Sequence, residues 1–158
     1  MESITLRAAR AGDGAAVFAV THQSITELAQ GRYSAEQLRG WMGQRSHDDY
    51  ERAIAKGGMV VACQGDTVVG FVDAEPGEVT RLFVLAQAAG QQLGSRLLAA
   101  GLAKAQAPHV QVIKVESTLN AEGFYRRHGF IAKGRDFFSH GVGGDPIEVV
   151  LMERPAQP

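Results

Sequence analysis

The chain has 158 residues, 45% of them hydrophobic and 21% charged, with a formal net charge of −1. Residues 1–153 are expected to form one domain with a substantial core, followed by a flexible tail at 154–158. The intermixed charges exclude the broad positive field that nucleic-acid binding needs, and no run approaches the roughly 18 apolar residues of a membrane span.

Taken in chain order, Ile4–Ala9 alternates as a first strand, and Arg10–Gly14 turns the chain into a helix running to about Leu28, with Asp13 as its cap. Ser34-Ala-Glu-Gln37 is a capping box that opens a second helix to Met42, and Asp48–Lys56 reads as a third, ended by Gly57-Gly58. Met59–Cys63 and Thr67–Asp73 are β-branched runs joined by Gly65-Asp66, a hairpin signal. Glu78–Val84 is a further strand after Pro76-Gly77. Gly90–Ala105 changes to helical spacing, with Leu93, Leu97, Leu98 and Leu102 on one side. His109–Val115 is strand-like and Asn120–His128 is a short helix. Phe130–Asp136 and Ile147–Met152 are strands around the glycine-rich turn Gly141–Pro146. The order β-α-α-α-β-β-β-α-β-α-β-β predicts an α/β or α+β domain with an antiparallel meander and late crossovers.

Cys63 is the only cysteine, which leaves no intramolecular disulfide and no thiolate metal cluster. With no apolar leader at the N-terminus, a cytoplasmic location is expected. The five histidines show no i, i+4 pair or metal spacing, so no metal is expected. P-loop, G-x-S-x-G and complete G-x-G-x-x-G patterns are absent.

The segment Leu82–Leu98 carries the chemistry. An apolar strand enters a loop with two glycines, and the second glycine leads an amphipathic helix. The first amides of a helix have no intrahelical partner and lie at the positive end of its dipole, which suits a phosphate or pyrophosphate. Glycine allows an anion to approach the backbone. On this segment alone a plain structural turn reads equally well.

The residues LFV-LAQAAGQQLGSRLL resemble the signature segment of the GNAT (GCN5-related N-acetyltransferase) superfamily. A second stretch, from Asn120 through Phe124-Tyr125 to Gly129-Phe130, is similar to the later motif of that family, N-A-x-x-F-Y-x-x-x-G-F. Tyr33-Ser34 with Gln37 and Trp41 further resembles the bacterial YafP-like subgroup. The resemblance spans about Ile4 to Met152. It implies the GNAT fold, a mixed, mostly antiparallel twisted sheet of six to seven strands flanked by helices.

Several roles follow from the resemblance. It implies acetyl-CoA as co-substrate, with Leu82 and the amides of Phe83 and Val84 beside the pantetheine arm and thioester. The pyrophosphate would lie among Ala89, Gly90, Gln91, Gln92, Leu93, Gly94 and Ser95, and Asn120 would bond the pantetheine. Ala89 and Gln92 depart from the family pattern, which has Gln or Arg and Gly at those places; the Gln92 amide offers a possible phosphate donor instead. The resemblance also implies that Tyr125 protonates the departing CoA thiolate.

Glu78, at the start of the strand leading into the signature segment, resembles in position the catalytic glutamate of some histone-type relatives. That resemblance implies a base, acting directly or through water on an amine whose ammonium is like that of lysine. A solvated strand-end carboxylate is the alternative. The Val84 amide would stabilise the thioester oxygen. Tyr33, Trp41, Phe71 and His140 are candidates for the acceptor pocket, and their aromatic character points to a small-molecule primary amine. Acetylation of a protein lysine or N-terminus, and a CoA-binding or metabolite-sensing module with little catalysis, are the alternatives. Neither nucleic acid nor membrane is an expected partner, and the chain would act as a monomer or homodimer.

Overall fold

A computed structural model describes residues 3–28, 31–43, 45–139 and 146–156. Its elements are β1 (Ile4–Ala8), α1 (Gly14–Leu28), α2 (Ala35–Met42), α3 (His47–Ala55), β2 (Met59–Gln64), β3 (Thr67–Glu75), β4 (Glu78–Val84), α4 (Leu93–Ala105), β5 (Val112–Ser117), α5 (Glu122–Arg127), β6 (Ile131–Phe137) and β7 (Glu148–Pro155). Short 3₁₀ turns at Ala86–Gln91 and Leu119–Ala121 precede α4 and α5.

All seven strands join one sheet in the order β1-β2-β3-β4-β5-β7-β6. Every neighbouring pair is antiparallel except β4 and β5, which run parallel because α4 carries the chain across between them. This is the mixed, mostly antiparallel sheet that the resemblance implies.

Alternation sends the two faces of β3 to different partners. Phe71 and its cross-strand partner Phe83 turn toward the first helices, where Phe83 meets Trp41 of α2 with ring centroids 6.1 Å apart. Gly70 and Val72 face α4. A Cβ on Gly70 would lie 3.1 Å from Leu97, and one on Gly101 would lie 2.7 Å from Val72, so helix and sheet approach closely because these side chains are absent. Val79, Leu93, Leu97 and Leu98 are each fully buried on the α4 side, and Val61 and Phe71 on the opposite face. A second apolar cluster joins Ile25, Tyr33, Trp41, Phe138, Ile147 and Val149 at the end of the sheet where β4 finishes.

The capping box at Ser34 forms as the sequence dictates, with Ser34 and Gln37 each bonding the other's backbone amide at 3.0 and 2.7 Å. Asp13 does not cap α1 with its side chain. Its carboxylate turns back to Arg7 at 2.8 and 3.0 Å and to the Arg10 amide at 2.9 Å. Glu51 of α3 covers the helix start instead, accepting from the amides of Gly12 and Gly14. A residue 37 positions away supplies the anion that complements the dipole.

Residues 154–156, expected within a flexible tail, are instead paired. Arg154 and Pro155 pair with Ile113 and Val112 as the end of β7, and the Ala156 amide bonds the Gln111 carbonyl at 2.9 Å. Among the described residues no helix is long and apolar enough to cross a membrane, and no cluster of three His, Cys, Asp or Glu side chains could hold a metal ion.

Candidate active site

The site begins with a defect in the sheet. β4 pairs with β5 only at Glu78–Lys114 and Val79–Val115. Beyond those two pairs the strands diverge while β4 stays paired to β3 as far as Val84. One edge of β4 is therefore left without a strand partner, although backbone donors and acceptors need partners when buried.

A cavity of about 520 Å³ occupies this splay. Leu82, Phe83 and Val84 form one wall. Ala89, Gln92, Gly94 and Ser95, at the start of α4, form a second. Asn120 and Tyr125 face them from the other side of the gap. The structure thus brings together two sequence segments that are 25 residues apart at their nearest, Ser95 to Asn120.

Strand alternation fixes which amides face the gap. The Leu85 amide bonds the Val69 carbonyl of β3 at 2.9 Å. The groups of Val84 therefore point the opposite way, into the splay, as do those of Leu82 two residues earlier. The Phe83 amide turns toward β3. This corrects the expectation that Phe83 and Val84 both present amides to a cofactor; Leu82 and Val84 are the pair so oriented.

The start of α4 is open in the manner expected of an anion site. The first bond of its ladder runs from the Arg96 amide to the Gln92 carbonyl at 3.1 Å, so the amides of Leu93, Gly94 and Ser95 precede the ladder. No charged side chain lines the cavity among the described residues. An anion there would be held by amides, hydroxyls and the positive end of a 13-residue helix.

Gln92 occupies the left-handed region, φ 54° and ψ 27°, and is the N-cap of α4. A glycine at this place is free of that strain, which gives the family pattern its physical reason. Gly94 has a different one: a Cβ there would lie 3.2 Å from the Phe124 ring. Gly90 lies in the 3₁₀ turn with open space around it and does not line the cavity, and the Leu93 side chain is fully buried in the core.

Tyr125 is 4% exposed, and burial pushes its phenol well above the ordinary tyrosine value. It therefore stays protonated near neutral pH, the state a proton donor requires. Its ring is held edge-on by Phe124 and Phe130, with centroids 5.1 and 5.4 Å away.

Among the described residues, Glu78, Phe71, Trp41 and Tyr33 do not line this cavity. Glu78 stands at the far end of β4, six residues and about 20 Å along the strand from Val84. Phe71 and Trp41 are buried at 0% and 1% exposure and serve as packing for Phe83. The Tyr33 hydroxyl donates to the Glu148 carbonyl at 2.6 Å and accepts from the Leu119 amide at 2.9 Å, which ties the turn before Asn120 to β7. His140 lies outside the described residues.

Some lining residues carry no local signal. Ser24 of α1 donates its hydroxyl to the Val84 carbonyl at 3.1 Å, and neighbouring Ile25 reaches the cavity as well. Nothing in the spacing of α1 separates them from core positions. Thr118, Ala121 and Phe124 also line the cavity, and all three fall within or beside the second motif.

Comparison with known proteins agrees with this geometry. Residues 29–151 match the acetyltransferase (GNAT) domain family. The chain is 26% identical over 130 residues to the uncharacterized N-acetyltransferase YafP of Escherichia coli (strain K12), covering 82% of this chain and 83% of that protein. A GCN5-related N-acetyltransferase from Rhodopseudomonas palustris superposes with a TM-score of 0.81 at 26% identity, over 98% of each chain. The PaiA N-acetyltransferase of Thermoplasma acidophilum, solved in complex with coenzyme A, gives a TM-score of 0.78 over 97% of this chain and 99% of that one. At 18% identity this last likeness bears on the fold alone.

Proposed function

The chain belongs to the GNAT acetyltransferase family, and from that premise we propose that it moves an acetyl group from acetyl-CoA to the primary amine of a small molecule, by direct attack in the β4–β5 splay. The observation that carries the reading is the cavity itself, which joins the free edge of β4, the open start of α4 and Tyr125 in one space.

In this reading the pantetheine arm of acetyl-CoA lies along Leu82–Val84, taking the place of the missing strand. Its amide groups pair with the outward-facing groups of Leu82 and Val84, much as a peptide adds to a sheet edge. The pyrophosphate lies against the amides of Leu93, Gly94 and Ser95, and Asn120 bonds the arm from the opposite side. The match of residues 29–151 to the acetyltransferase (GNAT) domain supports the choice of cofactor.

The chemistry needs no covalent enzyme intermediate. The neutral amine attacks the thioester carbon, the C–N bond forms, and the oxygen of the tetrahedral intermediate accepts from the Val84 amide. The C–S bond then breaks, and Tyr125 gives its proton to the sulfur. Raised by burial, the phenol is protonated before the step and is restored from solvent after it. Glu78 is too distant to take the amine proton, which leaves through water. Holding the amine against the thioester contributes much of the acceleration.

The acceptor enters from the side of α1, where Ser24 and Ile25 line the cavity. A space with no charged lining favours a small amine over a basic protein tail. Steady-state acetylation of a panel of small amines, followed by mass spectrometry, tests the proposal. Tyr125→Phe should lower kcat by about 10²- to 10³-fold with little change in the acetyl-CoA KM. Glu78→Gln should leave kcat within about twofold of the parent chain, as expected for a surface change remote from the chemistry. Bound acetyl-CoA with no acetylated amine, in parent and Tyr125→Phe alike, would instead favour a sensing module.

A further inference from the structure

We propose that His128 is a positioning residue for the cofactor pyrophosphate, acting through Ser95, so that acetyl-CoA binding takes up a proton. The inference rests on the reading of the cavity as the acetyl-CoA site.

Ser95 lies in the first turn of α4 and lines the cavity. Its hydroxyl oxygen is 3.0 Å from Nε2 of His128, which sits 33 residues later at the end of α5. The other ring nitrogen, Nδ1, is 2.9 Å from the Phe124 carbonyl oxygen. A carbonyl only accepts, so Nδ1 carries a proton. In the neutral ring Nε2 is then an acceptor, and the Ser95 hydroxyl must donate to it. The single proton of Ser95 is thereby spent inside the protein, and the oxygen turns lone pairs toward the place proposed for an anion.

A pyrophosphate reverses this arrangement. It offers only acceptor oxygens, and a hydrogen bond to a charged acceptor is stronger than a neutral one. When Nε2 takes a proton from solvent, the imidazolium donates at both nitrogens, to the Phe124 carbonyl and to a Ser95 lone pair. The Ser95 proton is then free to turn to a phosphate oxygen. One proton enters, no covalent bond other than N–H forms, and the anion gains both a donor and a nearby positive charge. The start of α4 thus acquires a cation that the cavity lining lacks.

The surroundings hold the ring in place for this role. Phe124 lies beside it with ring centroids 4.6 Å apart. The charged groups nearest it are Arg154 of β7, which donates to the His128 carbonyl at 2.8 Å, and the Glu122–Arg126 pair and Arg127 on its own helix; Arg96 of α4 turns away to the Ile4 carbonyl at 3.0 Å. These charges are common to the parent chain and to changes at Ser95 or His128, so comparison of those proteins isolates the Ser95–His128 pair.

Calorimetric titration with acetyl-CoA in buffers of different ionisation heat, near neutral pH, counts the protons taken up. The 3′-phosphate of the cofactor titrates near this range, but its contribution is shared by every protein compared. The parent chain should take up a substantial fraction of a proton more than Ser95→Ala or His128→Gln. Its affinity should weaken more than theirs as pH rises, because the bound state of the parent holds the extra proton. Equal proton counts in the three proteins would overturn the inference while leaving the cofactor reading intact. Failure of the parent chain to bind acetyl-CoA would overturn both. The parent chain with 3′-dephospho-CoA, whose pyrophosphate does not titrate here, provides a check without any variant: uptake supports the proposal, and a count of zero refutes it.

Discussion

Replacing Gln92 by glycine asks whether the start of α4 is held by backbone alone. Gln92 is the one non-glycine residue with positive φ among the described residues. A Cβ in the left-handed region costs roughly 1–2 kcal/mol, which glycine recovers. Glycine also frees the unfolded chain, which offsets about 0.5–1 kcal/mol of that gain. The balance is a net stabilisation of about 0.5–1 kcal/mol, or roughly 1–4 °C in Tm for a chain of this size. Gln92→Ala keeps the strained Cβ and removes only the exposed amide, so it should stay within about 0.5 kcal/mol of the parent. Thermal unfolding followed by circular dichroism distinguishes the three proteins. Acetyl-CoA affinity should stay within about threefold in both variants if main-chain amides hold the pyrophosphate, because less than one typical hydrogen bond is then lost. A lower Tm for the glycine variant, or a loss of affinity above tenfold in both, would show that the Gln92 side chain is what holds the loop or the anion.

Two further outcomes follow from the packing and charges described. Gly94→Ala places a Cβ 3.2 Å from the Phe124 ring, which must yield and push the wall carrying Tyr125. Stability should fall by about 1–3 kcal/mol and acetyl-CoA KM should rise, measured by denaturant unfolding and steady-state kinetics. Asp13 is held below the usual carboxylate range first by the Arg7 hydrogen bonds. A depressed carboxylate stabilises the fold above its unfolded value of about 3.9, and this contribution disappears as pH falls through the folded value. Asp13→Asn should therefore cost about 1–2 kcal/mol near neutral pH, and its deficit against the parent should close below about pH 4.

Local features of this fold were legible in the sequence because local chemistry sets them. The run Glu78–Val84 is a strand with those same ends, and Ser34–Gln37 forms the capping box its residues specify. The two motifs placed Val84, Gly94, Ser95, Asn120 and Tyr125 around one space without any contact being visible. What the sequence could not display are consequences of long-range pairing. The cavity exists because β5 leaves β4 after two pairs, and no residue of either strand signals that. Glu51 caps α1 from α3 because the fold brings it there, whereas the nearby Asp13 is claimed by Arg7. Aromatic identity did not separate lining from packing: Tyr125 faces the cavity, while Trp41 and Phe71 support Phe83 from beneath. The separation of Glu78 from Val84 was available from strand geometry alone, since six residues at about 3.3 Å each exceed the reach of a carboxylate.

Hydrogen–deuterium exchange with and without acetyl-CoA tests most directly where the cofactor sits. Protection should appear together in Leu82–Val84, at Leu93–Ser95, and in the turn from Thr118 to Ala121, because all three border the splay. Protection confined to the separate polar cavity of about 350 Å³ beside Lys56, Arg81 and Lys104, with those three segments unchanged, would contradict the account.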